Sequence, residues 1–282
     1  MNYQHAFHAG NFADVHKHLV LTRVLEHLRG KPTAFRVIDT HAGAGRYDLM
    51  GREAARSGEW RNGIERLVDA ARAGRIAEPL LAPYLDIVMA FNPTGDLRLY
   101  PGSPLIARAQ LRRADRLIAC ETEPRAAASL KACLRGDLRA KVLALDGWMA
   151  LNANIPPKER RGLVLVDPPY EEAADFSRLY GALTDANRRW PTGVYMLWYP
   201  IKERDAPDAL ARRLCRLGLP KVLRSEITLG PPRADSGLVG SGLIVVNPPY
   251  TLAEELGALL PGLAPLFSRN AAYRLDWLAP RR

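Results

Sequence analysis

The chain has 282 residues, with 40 Lys and Arg against 30 Asp and Glu for a formal charge of +10, and it is 48% hydrophobic and 25% charged. That balance is one of an ordinary globular protein and excludes a disordered polybasic tail, so the surplus charge sits on a folded surface and points to a polyanionic partner such as nucleic acid. The length suits about two domains, or one large α/β domain carrying an insertion.

A helix is predicted first. Leu21, Val24, Leu25 and Leu28 follow the i, i+3, i+4, i+7 spacing of one face, with Asp14 as a cap before them and Gly30 and Pro32 behind. Phe35 to Asp39 then forms a short β-type run that ends in Asp39-Thr40-His41-Ala42-Gly43-Ala44-Gly45. Strand, glycine turn and helix open a doubly wound nucleotide-binding sheet. The turn holds only half of the dinucleotide fingerprint, because position 48 is Asp48 and no ribose-binding acid follows at the expected distance. This argues against NAD.

Residues 46–100 carry helical spacing, notably Tyr84, Ile87, Val88 and Phe91 behind Pro83, with no convincing strand before Leu97 to Tyr100. They read as a helical subdomain inserted into a core of residues 1–45 and 101–282. Ser103 and Pro104 suit the cap and first residue of the next helix. From there the alternation is regular: apolar runs at 117–120, 142–145, 163–166 and 194–198 are separated by helix-like segments, as parallel βαβ crossovers require. Runs at 222–229 and 243–246 lack room for a helix between them and are expected to pair as a terminal antiparallel hairpin, completing a seven-stranded, mostly parallel, Rossmann-like sheet.

Asp39, Glu121, Asp146 and Asp167 each follow a strand at its carboxyl end. Ligands of open α/β sheets sit along that edge, so the four carboxylates should line one crevice. One such residue is most simply a helix cap, whereas four in register favour a nucleoside-like cofactor, one carboxylate taking ribose hydroxyls and the next an adenine amino group.

Leu163-Val164-Leu165-Val166 runs directly into Asp167-Pro168-Pro169-Tyr170. Two prolines stiffen the loop, so the Asp167 carboxylate and the Pro168 carbonyl can converge on an exocyclic amine and accept both of its hydrogens. Tyr170 offers a flat face to an extruded base. Asn247-Pro248-Pro249-Tyr250 is a near copy, but it ends the seventh strand beyond the hairpin and reads as a structural turn.

All six histidines lie within the first 41 residues. His5-x-x-His8 and His16-x-His18 suggest zinc, yet no cysteine lies near and residues two apart on a helix point to different faces, so no metal is expected. Lys17, His18 and His41 are better read as donors to a carboxylate. Cys120, Cys133 and Cys215 form no C-x-x-C pair and read as small buried residues in a reducing compartment. With no membrane-length apolar run and no signal-peptide pattern at the start, a cytoplasmic protein is expected. Among the basic clusters, Arg160 and Arg161 lie at the wrong end of their strand to meet a target base, while the inserted segment and Arg233 in the 231–242 loop are better placed.

The motifs HAGNFADVHKH, DTHAGAGRY, YPGSPLIAR, VDPPYE, LWYP and NPPY together resemble the RlmJ family of bacterial 23S ribosomal RNA adenine-N6 methyltransferases along nearly the whole chain. The resemblance implies a class I methyltransferase sheet with a helical insertion after strand 1 and S-adenosylmethionine as cofactor. It implies cofactor contacts at His18, His41, Ser103, Glu121, Asp146 and Gly147, beside Lys17 and Gly43 from the residue reading. Asp167 would be the catalytic proton acceptor, with Pro168 and Tyr170 in its motif. Tyr3 matches an aromatic position that contacts RNA, and the implied target is adenine 2030 of 23S rRNA. The expected protein is a monomer. The rivals are a DNA adenine-N6 or cytosine-N4 methyltransferase and a noncatalytic RNA-binding module.

Overall fold

The computed structural model describes residues 4–76, 79–172, 174–231 and 237–279. Helix α1 (Phe12–Arg29) precedes β1 (Arg36–Asp39); β2 (Arg46–Asp48), α2 (Arg52–Ser57), α3 (Ile64–Arg72), α4 (Ala82–Ala90) and β3 (Leu99–Pro101) follow. The chain continues through α5 (Ser103–Gln110), β4 (Arg116–Cys120), α6 (Pro124–Cys133), β5 (Ala140–Leu143), α7 (Gly147–Asn154), β6 (Gly162–Val166) and α8 (Asp175–Arg189). It closes with β7 (Val194–Ile201), α9 (Asp205–Arg216), β8 (Val222–Thr228), β9 (Gly240–Val246), α10 (Leu252–Phe267) and β10 (Ala272–Ala279).

The main sheet has eight strands in the order β10-β8-β9-β7-β6-β1-β4-β5. The five strands from β7 to β5 in that order are parallel, and β9, β8 and β10 complete the sheet in antiparallel pairs. The doubly wound architecture and the β8–β9 hairpin are as expected. The count is not seven, because β10 adds a strand to the outer edge beside β8. The strand order reverses across β1, with β4 on one side and β6 on the other, and this switch point opens the crevice at the carboxyl ends of the strands.

Helix α1 is buried over most of its surface, against β9 and α5. Leu19, Val20, Leu21, Val24 and Leu25 are fully buried, each worth about 1.5–3 kcal/mol of apolar transfer. Its polar residues are buried too and must find partners. Asn11, rather than Asp14, caps it: the Asn11 side chain accepts from the Asp14 amide at 2.9 Å. Asp14 sits inside the first turn, where its carboxylate is used elsewhere.

Between β1 and α5 the chain leaves the sheet through β2 and returns through β3, which pair antiparallel from Arg46↔Pro101 to Asp48↔Leu99. Strand β3 overlaps the run expected at Leu97 to Tyr100, whereas its partner β2 is not visible in the hydrophobic periodicity. The helices between the two strands pack on α1 and α10, so Trp60, Leu67, Tyr84 and Val88 join the same apolar core as α1. Helix α5 begins one residue earlier than expected. Gly102 is the cap, and the Ser103 hydroxyl donates to Asp39 Oδ2 at 2.7 Å. Cys120 is buried, whereas Cys133 is half-buried and Cys215 is exposed at the end of α9, contrary to the expectation of three buried thiols. Among the described residues no helix is long and apolar enough to cross a membrane.

Candidate active site at the carboxyl edge of the sheet

A cleft of about 580 Å³ opens over β1, β4, β5 and β6. Lys17, His18, His41, Gly43, Ser103, Glu121, Asp146, Gly147, Asp167 and Pro168 all line it. These residues span 150 positions of sequence, from Lys17 to Asp167, and only the parallel crossovers bring them together.

Each acid is held differently. Glu121 follows β4, and its two oxygens accept from the Gly43 amide at 2.9 Å and the Glu123 amide at 2.8 Å. The carboxylate is thereby fixed across the glycine turn. Gly43 has φ +62°, and a Cβ there would stand 2.2 Å from the Tyr47 hydroxyl, so the turn demands glycine on two counts. Asp146 caps α7 by accepting from the Trp148 and Met149 amides at 3.0 and 3.1 Å through Oδ1. A Cβ on Gly147 would stand 2.1 Å from the Thr40 carbonyl, which is how α7 can start against the β1 turn.

Asp39 lies beneath the cleft rather than on its wall. Burial pushes its carboxyl up to about 7, against the opposing hydrogen bond from Ser103. Its Oδ1 is buried with no hydrogen-bond partner. The other strand-end acids are therefore the ones presented to a ligand.

Asp167, 14% exposed, receives Lys17 Nζ at 2.6 Å on Oδ2, and the same ammonium lies 2.9 Å from Asp14 Oδ1. Burial disfavours the charge on Lys17, but Asp14 and Asp167 outweigh it and hold the ammonium well above the usual lysine range. Asp14 Oδ2 accepts from the Gly10 amide at 2.9 Å and meets His5 Nε2 at 3.0 Å. Burial opposes its charge as well, yet His5 and Lys17 hold its carboxyl well below the usual range. Asp14 is the functional neighbour that the sequence reading missed; its i, i+3 spacing to Lys17 on α1 is the signal that identifies it.

His18 stands in the wall. Its Nδ1 meets the Tyr100 hydroxyl at 2.7 Å, which leaves Nε2 as its remaining ring nitrogen, and burial pushes it down to about 3. His41 Nδ1 meets Thr40 Oγ1 at 2.8 Å, and burial lowers it to about 4. Both rings are neutral near pH 7 and serve as hydrogen-bonding groups rather than cations. The remaining histidines have separate partners: His8 faces Glu59, and His16 lies buried between Ser241 and Ser225.

Tyr170 is not among the cleft-lining residues. Its φ of +52° swings the ring back, the hydroxyl donates to the Trp198 carbonyl at 2.6 Å, and the ring packs on Phe176 and Trp198. Tyr3 and Arg233 lie outside the described residues. Trp148, in contrast, lines the cleft with its ring edge-on to His41 at 5.4 Å.

Asn247 ends β9, which runs antiparallel to β7, so its loop emerges at the opposite edge of the sheet. There Asn247 Nδ2 donates to the Pro191 and Gly193 carbonyls at 2.7 and 2.8 Å. Arg161 is at that same edge, donating to the Leu28 and Thr33 carbonyls.

Comparison with known proteins agrees with this geometry. Residues 32–279 match the family described as ribosomal RNA large subunit methyltransferase D, RlmJ. The chain is 41% identical over 284 residues to ribosomal RNA large subunit methyltransferase J of Escherichia coli (strain K12), covering 99% of both chains. It is 37% identical over 283 residues to the protein of that name from Haemophilus influenzae, again covering 99% of both. The crystal structure of protein LPL1258 from Legionella pneumophila superposes with a TM-score of 0.88 at 33% identity, covering 96% of this chain and 98% of that one. The chain belongs to the RlmJ family of ribosomal RNA large subunit methyltransferases.

Proposed function

We propose that the protein transfers a methyl group from S-adenosylmethionine to N6 of an adenine in 23S ribosomal RNA, at adenine 2030 by its family resemblance. It is read as a cytoplasmic monomer in which residues 46–100 form an inserted lobe. The observation that carries this reading is the placement of Asp167 and Pro168 on the same cleft as Glu121 and Asp146.

The cleft fits the cofactor. Its volume lies within the range of small-molecule sites. Two backbone amides fix the Glu121 carboxylate, which suits a vicinal diol, and Gly43 and Gly147 let the turn after β1 and the start of α7 close on Tyr47 and Thr40. S-Adenosylmethionine, when bound, supplies an electrophilic methyl group. Ser103, His18 and His41 provide neutral donors and acceptors for its polar end, and Asp146 with Gly147 provides the adenine contact.

On the substrate side, Asp167 and the Pro168 carbonyl accept the two hydrogens of the adenine amine. This draws the nitrogen lone pair out of conjugation with the ring. Asp167 then takes the released proton, a role worth typically 10² to 10⁴ in rate. Lys17 keeps that carboxylate in place between turnovers. Tyr170, tied to the Trp198 carbonyl and packed on Phe176 and Trp198, steadies the loop that carries Asp167 and Pro168.

The test is transfer of labelled methyl from S-adenosylmethionine to 23S rRNA and to duplex DNA, with the product mapped by mass spectrometry. N6-Methyladenosine in 23S rRNA is expected. Transfer to DNA only, or to neither, would refute the proposal.

A further inference from the structure

Several arginines are matched by an acid: Arg112 pairs with Asp115, Arg139 with Asp137, Arg204 with Glu226 and Arg224 with Asp276. Helices α8 and α9 hold such pairs too, Arg188 with Asp185 and Arg204 with Asp208, and beside them a set of arginines without an acid. Among the described residues, Arg178, Arg212, Arg213 and Arg216 have no carboxylate within 4.0 Å.

Two of these four lie on aromatic rings. The Arg178 guanidinium stands 5.6 Å from the Trp148 ring, and both residues line the mouth of the cleft. The Arg213 guanidinium stands 3.9 Å from the Tyr180 ring, while Nη1 donates to Ser177 Oγ at 3.2 Å, so α9 is tied to the α8 residue preceding Arg178. Arg212, immediately before Arg213, and Arg216, one turn after Arg212, are exposed on α9. The series begins eleven residues after Asp167 and leads away from the cleft. Glu171 and Glu172 line the cleft beside the catalytic loop, and Asp175 in the first turn of α8 accepts from the Glu172 amide, three residues before Arg178.

Arginine stacked on an aromatic face is pre-organised, with its N–H edge turned outward for bidentate contact with phosphate. A folded face of such groups adjoining the reaction cleft suits a polyanion whose one nucleotide enters the cleft while its backbone passes outside. We infer that the α8–α9 face, from Arg178 and Trp148 through Arg213 to Arg212 and Arg216, is the track for the RNA backbone flanking the target adenine. This rests on the proposed rRNA substrate.

The test uses the full chain with Arg178, Arg212, Arg213 and Arg216 all changed to Gln, and an Arg178→Glu variant that leaves the α8–α9 packing untouched. Binding to a 23S rRNA fragment is measured by anisotropy across a salt series, beside methyl transfer. The quadruple variant should bind at least tenfold more weakly, with a salt slope lower by roughly 3 to 3.5, since each of four lost phosphate contacts removes about 0.7 to 0.9. KM for RNA should rise by a larger factor than kcat at saturating RNA falls. Arg113→Gln with Lys158→Gln, at the opposite edge of the sheet, should leave the slope unchanged. Wild-type affinity and slope in both test variants would overturn the track. Absence of methyl transfer by the wild type itself would instead overturn the substrate, and weaker RNA binding by the variants would in that case still support the surface.

Discussion

Lys17 Nζ lies 2.6 Å from Asp167 Oδ2, on the carboxylate that the loop after β6 sets on the wall of the cleft. An ammonium held there mimics the hydrogen-bond donors that the adenine N6 brings. Asp167→Ala should therefore abolish methyl transfer, by at least 10³-fold, while S-adenosylhomocysteine still binds within a few-fold of wild type by calorimetry. Retained transfer with lost cofactor binding would assign Asp167 to the cofactor instead.

The Asp14–Lys17–Asp167 chain is nearly dry, so its members depend on each other. Lys17→Met leaves Asp14 buried without its cation and should lower stability by about 3–5 kcal/mol in denaturant unfolding. Adding Asp14→Asn should recover a large part of that loss, because the unpaired charge disappears with it. Equal destabilisation in the single and double variants would contradict the coupling.

Asp39 sets a pH dependence of stability. Its carboxyl is raised to about 7 by burial, while an unfolded aspartate titrates near 3.9. The folded state thus holds the proton more tightly. The stability from this group is fully present below about pH 4 and is lost as pH rises through about 7. Asp39→Asn removes the titration while keeping an acceptor for Ser103. Its advantage in thermal stability over wild type should be small at pH 5 and widen to a plateau above pH 7, bounded by about 4 kcal/mol at 1.36 kcal/mol per unit. A gap that does not change with pH would disprove the linkage.

The second Pro-Pro-Tyr segment should matter for folding alone. Asn247 adopts φ +51° and makes two side-chain bonds to backbone carbonyls. Asn247→Ala should cost about 1–3 kcal/mol of stability, with kcat unchanged for the folded fraction. A specific loss of turnover would place this loop in the chemistry after all.

Gly147→Ala probes the seam between α7 and the β1 turn. The added methyl meets the Thr40 carbonyl, which cannot yield without moving His41. Cofactor affinity should fall more than tenfold with little change in KM for RNA. An unaltered affinity would mean that the cofactor does not use this edge.

How far the letters reached depends on what each element needed. Strands β1, β4, β6 and β7 are buried runs with acids after most of them, and this is why the crevice could be located before any coordinates. Of the ribbon, only β3 shows as a run, at Leu97 to Tyr100; the three residues of β2 are too few for any periodicity, and the pairing is fixed by the chain's return from residues 46–100. Strand β10 does alternate, with Tyr273, Leu275 and Trp277 against Arg274 and Asp276, but its partner β8 is more than forty residues away. Lys17 was placed at the crevice correctly. Its pairing with Asp14 and Asp167 depends on how α1 seats against the sheet, and burial of a polar helix face cannot be read from polar letters. The inward packing of Tyr170 depends likewise on the left-handed backbone at a non-glycine position.

The Gly102 amide donates to the Gly45 carbonyl at 2.8 Å, joining the exit from the nucleotide turn to the return point before Ser103. Departure and re-entry of the whole excursion are thus fastened at one knot, with Gly43 on one side and the Ser103 hydroxyl on the other. A displacement of residues 46–100 therefore reaches both ends of the excursion together, beside the cleft wall at Gly43 and Ser103, as well as through the packing of its helices on α1 and α10.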